Sequence, residues 1–234
     1  MDELLTIDPD SVGRFLRRWY GTVEGVGDLH LGASPHLPSQ LLEWHAMAAQ
    51  IGSPVTFQDH PVSLRDLAPD SRGMLKFWVE SQNGHFWAIN LDDDTLQVFS
   101  REDGRVEWAG TGETLSHFLL HCTVREAIIG SSSKFTVFVN SSEINEAMDS
   151  FERLKFEALA SEEPQVKLWC NEDSLVRMAP PPTGYAEPGE QLWMLTFATP
   201  SDSSIERYAS RFGLEGMTTA EPACSEIPYE PPPF

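Results

Sequence analysis

His117 and His121 stand four residues apart, the spacing at which one face of a helix can offer two imidazoles to a single metal ion. Around them Leu115, Phe118 and Cys122 claim one side of a helical pattern. At about 100° per residue both histidines fall on the other side. The glutamate of an H-E-x-x-H site is absent and no third ligand is identifiable, so two solvent-facing histidines are expected and no metal. Asp92-Asp93-Asp94 lacks the alternating ligands and the glycine of a calcium loop. Ser131-x-x-Lys134 matches one fragment of the penicillin-binding signature, but neither S-D-N nor K-T-G follows. Glycine-rich phosphate loops and a G-x-S-x-G elbow are missing, and Cys122 on its apolar helical face reads as a buried, inert thiol. No catalytic constellation assembles. The expectation is a non-enzyme with no catalytic residue, no metal and no cofactor.

Binding is the remaining chemistry. The chain of 234 residues carries 36 acidic against 16 basic side chains, a net charge of −20. The charge divides evenly about Gly130, so it belongs to the whole surface and not to a tail. Such a field repels nucleic acid and anionic membranes and speeds association with basic partners; solubility alone is the other explanation. Asp92, Asp93, Asp94, Glu102 and Asp103 fall on consecutive turns, which places them together at one end of a sheet as an acidic contact for a basic protein. An ordinary solvated hairpin edge is the alternative. Trp78 alternates with Lys76 and Glu80, which puts it on the more exposed strand face as a contact residue, whereas Trp19, Trp87 and Trp108 read as core.

These residues need elements to hold them. Asp8-Pro9 reads as a helix cap, with Val12, Phe15, Leu16 and Trp19 at helical spacing as far as Gly21. Pro38 opens a second helix ending at Gly52, and 53–72 is a loop with a short helix near Leu64–Leu67. Leu75, Phe77 and Val79 begin a strand that Asn83-Gly84 returns through a type I′ hairpin into His85–Leu91. Strands at Leu96–Ser100 and Arg105–Trp108 complete an antiparallel meander, since such short turns join only antiparallel neighbours. Thr114 caps a helix running to Ile129 and stopping at Gly130. After the break Ser131-Ser132-Ser133 come a strand at Phe135–Val139 and a long helix capped by Ser142, with Ile144, Ala147, Met148, Phe151, Leu154 and Ala158 as its stripe. Strands follow at Val166–Cys170, Leu175–Met178 and Gln191–Thr199, then a helix from Ser203 or Ser204 to Gly213. Four prolines between Ser225 and Phe234 favour polyproline II.

The order of features from Leu37 to Ile129 resembles the SUKH superfamily, the Smi/Knr-like proteins, in the form common in actinobacteria. The resemblance rests on the Leu37-Pro38 helix start, Leu41-Leu42-Glu43-Trp44, Leu75-Lys76-Phe77-Trp78 and Glu80-Ser81-Gln82-Asn83. It continues through Phe86-Trp87-Ala88, an acidic turn before Val98, and Trp108 leading into Leu115-Ser116-His117-Phe118-Leu119. It covers roughly 110 residues. His45 departs from the family's usual aromatic, and the hairpin at Asn83-Gly84 is tighter than usual. The resemblance implies a mostly antiparallel sheet packed by helices and an immunity protein that binds and neutralises a toxin, often a nuclease, or else an interaction scaffold.

The fold expected is therefore α+β: a SUKH-like domain over 1–130, a smaller α+β extension over 134–224, and a Pro-rich tail over 225–234. The function expected is protein binding, with a basic toxin as the leading partner, no direct nucleic acid and no membrane. An intracellular scaffold or a hydrolase with an unrecognised site are the alternatives. Cys122, Cys170 and Cys224 are few and widely spaced, Met1-Asp2-Glu3 lacks a basic leader, and no apolar run spans a bilayer, which together point to the cytoplasm.

Overall fold

The computed structural model describes residues 1–21, 37–156, 165–185 and 191–214. Within these, helices and two antiparallel sheets form an α+β fold. The expectations for the Pro-rich tail, Cys224 and Ala158 lie outside the described residues.

Helices α1 (Asp2–Leu5), α2 (Ser11–Tyr20) and α3 (Ser39–Ala49) precede the first sheet. Asp8 starts α2 from outside: its carboxylate accepts the Asp10 N–H at 2.9 Å, while its own N–H donates to the Ser11 hydroxyl at 2.9 Å. Gly21 ends the helix at φ 72°, where a side chain would be strained. The first sheet runs β1 (His60–Pro61), β2 (Met74–Val79), β3 (His85–Asn90), β4 (Gln97–Glu102) and β5 (Ala109–Thr114) in chain order, every pair antiparallel. A short 3-10 turn occupies Leu64–Asp66, and Pro61 sits on an edge strand, where its missing N–H costs nothing.

Helix α4 (Leu115–Gly130) then crosses to a second sheet of β6 (Ser133–Asn140), β7 (Glu152–Arg153), β8 (Lys167–Cys170), β9 (Leu175–Ala179) and β10 (Leu192–Thr199), ordered β6-β10-β9-β8-β7. A single turn, α5 (Ile144–Ala147), and the last helix, α6 (Asp202–Arg211), complete it. The layers are sheet, helices, sheet, helix. One side of α4 supplies Leu115, Phe118, Leu119 and Cys122 to a core with Leu75, Phe77, Trp78, Trp87, Ile89 and Val98. Its other side supplies Leu120, Val124, Ala127 and Ile128 to a core with Phe15, Trp19, Leu168, Cys170, Leu175 and Ala198. That is why α4 shows almost no polar face: a helix buried on two sides has no amphipathic stripe to display. A third core, with Val176, Leu195 and Phe197 against Ile205 and Tyr208, lies under α6.

Four expectations fail here. The hairpin after β2 is not type I′, because only Asn83 takes a positive φ (59°) where that turn needs two such residues in succession. Instead Asn83 N–H closes on the Glu80 carbonyl at 2.8 Å. The fourth long strand is Ala109–Thr114, not Arg105–Trp108; Gly110 and Gly112 hide it from propensity, and it pairs through a bulge opposite Val98. The helix expected after Ser142 is only Ile144–Ala147, because the chain turns at Met148 and Glu152–Arg153 pairs with Cys170 and Trp169 instead. Phe151 and Leu154 are buried all the same, one against the α6 side and one against α4.

The fourth failure is Trp78. It is 0% exposed, so it is no surface contact residue. Lys76 faces Ala88 and Trp78 faces Trp87, leaving Phe77 as an extra residue in β2. This bulge resets the two-residue alternation, so consecutive Phe77 and Trp78 both point to the core. Trp78 packs edge-on against Trp44 at 5.3 Å and Phe118 at 6.5 Å, and Trp44 donates its indole N–H to the Thr123 hydroxyl at 2.9 Å.

Candidate functional site

The outer face of the first sheet carries no helix among the described residues. Alternation along β4 buries Val98 and Ser100 inward and leaves Gln97, Phe99 and Arg101 half-exposed outward. The register then sets their neighbours: Phe86 lies beside Arg101, Ala88 beside Phe99, and Lys76 beside Ala88. On the far side Phe99 faces Gly110, where a Cβ would meet nothing within 4 Å. The result is an apolar strip in which the half-exposed Phe86 and Phe99 flank the buried Ala88, open over Gly110.

Two cations lie on this strip. The Arg101 guanidinium carbon is 4.4 Å from the centre of the half-exposed Trp108 ring and 5.9 Å from that of Phe86, and the Lys76 ammonium is 4.8 Å from the Phe86 centre. Each contact is worth ~0.5–1 kcal/mol at a partly solvated site. Among the described residues neither cation forms an ion pair. The Arg101 Nε–H is buried without a hydrogen-bond partner. A planar, weakly hydrated guanidinium beside two rings keeps its charge while giving up little solvation.

The acidic residues do not form one cluster. Successive turns of a meander alternate between the two ends of the sheet. His85 pairs with Glu102 and Ile89 with Val98, so Glu102 and Asp103 sit at the β2–β3 turn end, while Asp92, Asp93 and Asp94 lie at the opposite end. At ~3.3 Å per residue the two groups are separated by about 17 Å. Asp93 is also occupied locally: its carboxylate accepts the Thr95 hydroxyl at 2.7 Å and the Thr95 N–H at 2.9 Å, and these bonds hold its pKa below the usual carboxylate range. Glu102 faces Arg105 at 3.4 Å.

The histidines of α4 are not solvent-facing. His121 is 5% exposed, stacks on Phe156 at 4.5 Å with 10° between planes, and its Nδ1 lies 3.3 Å from the Glu113 carboxylate. His117 meets the edge of the same Phe156 ring at 5.4 Å. The chain beyond β7 covers this side of α4, which no helical wheel reveals. Among the described residues no three His, Cys, Asp or Glu gather closely enough to hold a metal ion. The Cys122 thiol is buried, and loss of solvation holds its pKa well above the usual thiol range.

Glu126, also unnoticed in the sequence, is 1% exposed and accepts the N–H groups of Phe57, Gln58 and Asp59 at 2.5, 2.8 and 3.0 Å. Arg125 meets Asp59 at 2.5 Å. Phe57 then lies across Gly130, where a Cβ would come within 1.9 Å of its ring. This is a loop clamp, with every carboxylate oxygen committed to the backbone.

Lys76, Phe86, Phe99, Arg101 and Trp108 can stack and pair charge, but they offer no nucleophile beside a base. The signal for them was present in the alternation of Gln97 to Arg101. What hid them was the assignment of Trp108 to a strand and to the core. Among the described residues no helix is long and apolar enough to cross a membrane. No protein-family model, curated protein or solved structure matches the chain.

Proposed function

We propose that this chain is a non-enzymatic protein-binding module whose partner docks on the open face of the first sheet. The observation that carries this reading is the placement of Lys76 and Arg101, over Phe86 and Trp108 and without a counter-charge among the described residues, in a chain of net charge −20. What sets these two apart is not the lack of an ion pair but their position, side by side with aromatic rings on one sheet face, where an anion from a partner can reach both. Arginine and tryptophan bordering an apolar strip are also the residue types that carry most of the binding energy in protein interfaces. The long-range field favours a basic partner. The SUKH resemblance suggests the form this takes: an immunity protein that seats on a basic toxin in the cytoplasm and blocks it.

The test is affinity purification of the tagged chain at low salt, beside a Phe99→Ala/Trp108→Ala variant, with mass spectrometry of what co-elutes. A stoichiometric protein held by the wild type, absent from the variant and released as salt rises supports the reading. The same protein held equally by the variant overturns the assignment to this face.

A further inference from the structure

We infer that the open face recognises a carboxylate on the partner, presented beside an apolar side chain; this rests on the reading of that face as the docking surface. The overall charge alone would predict the opposite, a partner contacting through lysines and arginines. Such a contact fails on the strip itself. A cation brought onto the strip would meet Lys76 and Arg101, and like charges brought together at an interface are rejected. Of the acidic turns that could receive a basic side chain, Glu102 beside Arg101 already pairs with Arg105 at 3.4 Å, and Asp92, Asp93 and Asp94 lie about 17 Å away at ~3.3 Å per residue. Field and contact therefore act on different parts of the partner. The −20 net charge draws a basic protein in. The strip with its two cations then selects the part of that protein that carries an acid.

The geometry suits a carboxylate more than a phosphate-bearing polymer. Stacking on Trp108 and Phe86 fixes the guanidinium plane, so its outer N–H pair can meet the two oxygens of one carboxylate in parallel. Lys76 lies two strands away on the same face and adds a second, less directional attraction. The next outward-facing residue of β4 after Arg101 is the half-exposed Phe99, opposite Gly110, where a Cβ would meet nothing within 4 Å and an incoming apolar group has room. A nucleic acid would bring many charges into a field of −20, and its affinity needs several phosphates neutralised together, which two cations do not provide.

The experiment uses the full chain and two capped probe peptides, one alternating glutamate and phenylalanine, the other glutamine and phenylalanine. Binding is followed by calorimetry and by the 1H–15N signal of the Arg101 side chain. The glutamate peptide is expected to bind about tenfold more tightly, as for a charge-assisted pair set against a neutral one, to shift the Arg101 Nε–H signal, and to weaken with salt. The preference should vanish in Arg101→Gln, shrink in Lys76→Gln, and return in part in Arg101→Lys, which keeps charge without the planar fork. Lys76 is exposed, so its variant reports even if Arg101→Gln perturbs the turn. Equal affinity of the two peptides, with both shifting Arg101, overturns the carboxylate inference and leaves the docking face standing. If neither peptide moves the Arg101 signal, the docking face falls with it.

Discussion

Arg101 and Trp108 lie on opposite sides of the β4–β5 turn, yet the guanidinium of one rests 4.4 Å from the ring centre of the other. The contact closes the turn in which Gly104 adopts φ 75° and Arg105 N–H donates to the Glu102 carbonyl at 3.2 Å. It also keeps a cation on the outer sheet face, where it forms no ion pair with the described acids of the same turn.

Trp78 and Trp108 should therefore respond oppositely to truncation. Trp78→Ala empties a site enclosed by Trp44, Trp87 and Phe118 and should cost ~3–5 kcal/mol in urea unfolding. Trp108→Ala should cost about 1 kcal/mol or less, since it loses one partly solvated stacking contact. If the two costs were equal, the placement of these rings would be wrong.

Glu126→Ala should release the Phe57–Asp59 backbone. Three amides lose their charged acceptor together, for a cost of about 3 kcal/mol. Hydrogen exchange should quicken at these three amides well before it does in β3, whereas Phe57→Ala should leave them protected.

Leu120→Ala tests whether α4 joins the two sheets. Leu120 is fully buried on the side of α4 facing the second sheet, and its truncation should cost ~2–5 kcal/mol. Both sheets should still melt in one transition, and a fragment of residues 1–130, with Leu120, Val124, Ala127 and Ile128 uncovered, should be less stable than the whole chain. Independent melting of the two sheets would contradict a shared core.

His45 should make stability pH-dependent. Burial depresses its pKa below the usual histidine value, and its Nε2 has no hydrogen-bond partner. The unfolded chain then binds the proton more tightly than the folded one, so stability is present above the unfolded value of about 6.5 and falls as pH drops through and below it. Urea unfolding at pH 7.5 and pH 5 should show this loss, and His45→Gln should flatten the part of it due to this residue. An unchanged pH slope in the variant would assign the effect elsewhere.

Local patterns sufficed for most elements. The helical spacing of Phe15, Leu16 and Trp19, the tight turns between β2, β3 and β4, and the strands at Leu168, Val176 and Phe197 are each encoded within about ten residues, the range over which side-chain period and turn chemistry act. The α+β class with antiparallel pairing follows from those elements alone.

Where side chains point was decided over longer distances. A single extra residue in β2 reversed the facing of Trp78, and two glycines concealed β5, so that Trp108 moved from an expected core position to the open face. Antiparallel turns alternate between sheet ends, which parted Asp92, Asp93 and Asp94 from Glu102 and Asp103 although all five lie within twelve residues. The second sheet and Phe156 buried a helix side that α4 alone would have left wet, and with it His121. The sequence by itself determined most of the helices and strands, though not β5 or the short α5, and how strongly the chain is charged, because both depend on neighbouring residues or on simple sums. Only the tertiary structure decided which cations lack a partner, because that depends on what the rest of the chain packs against each face.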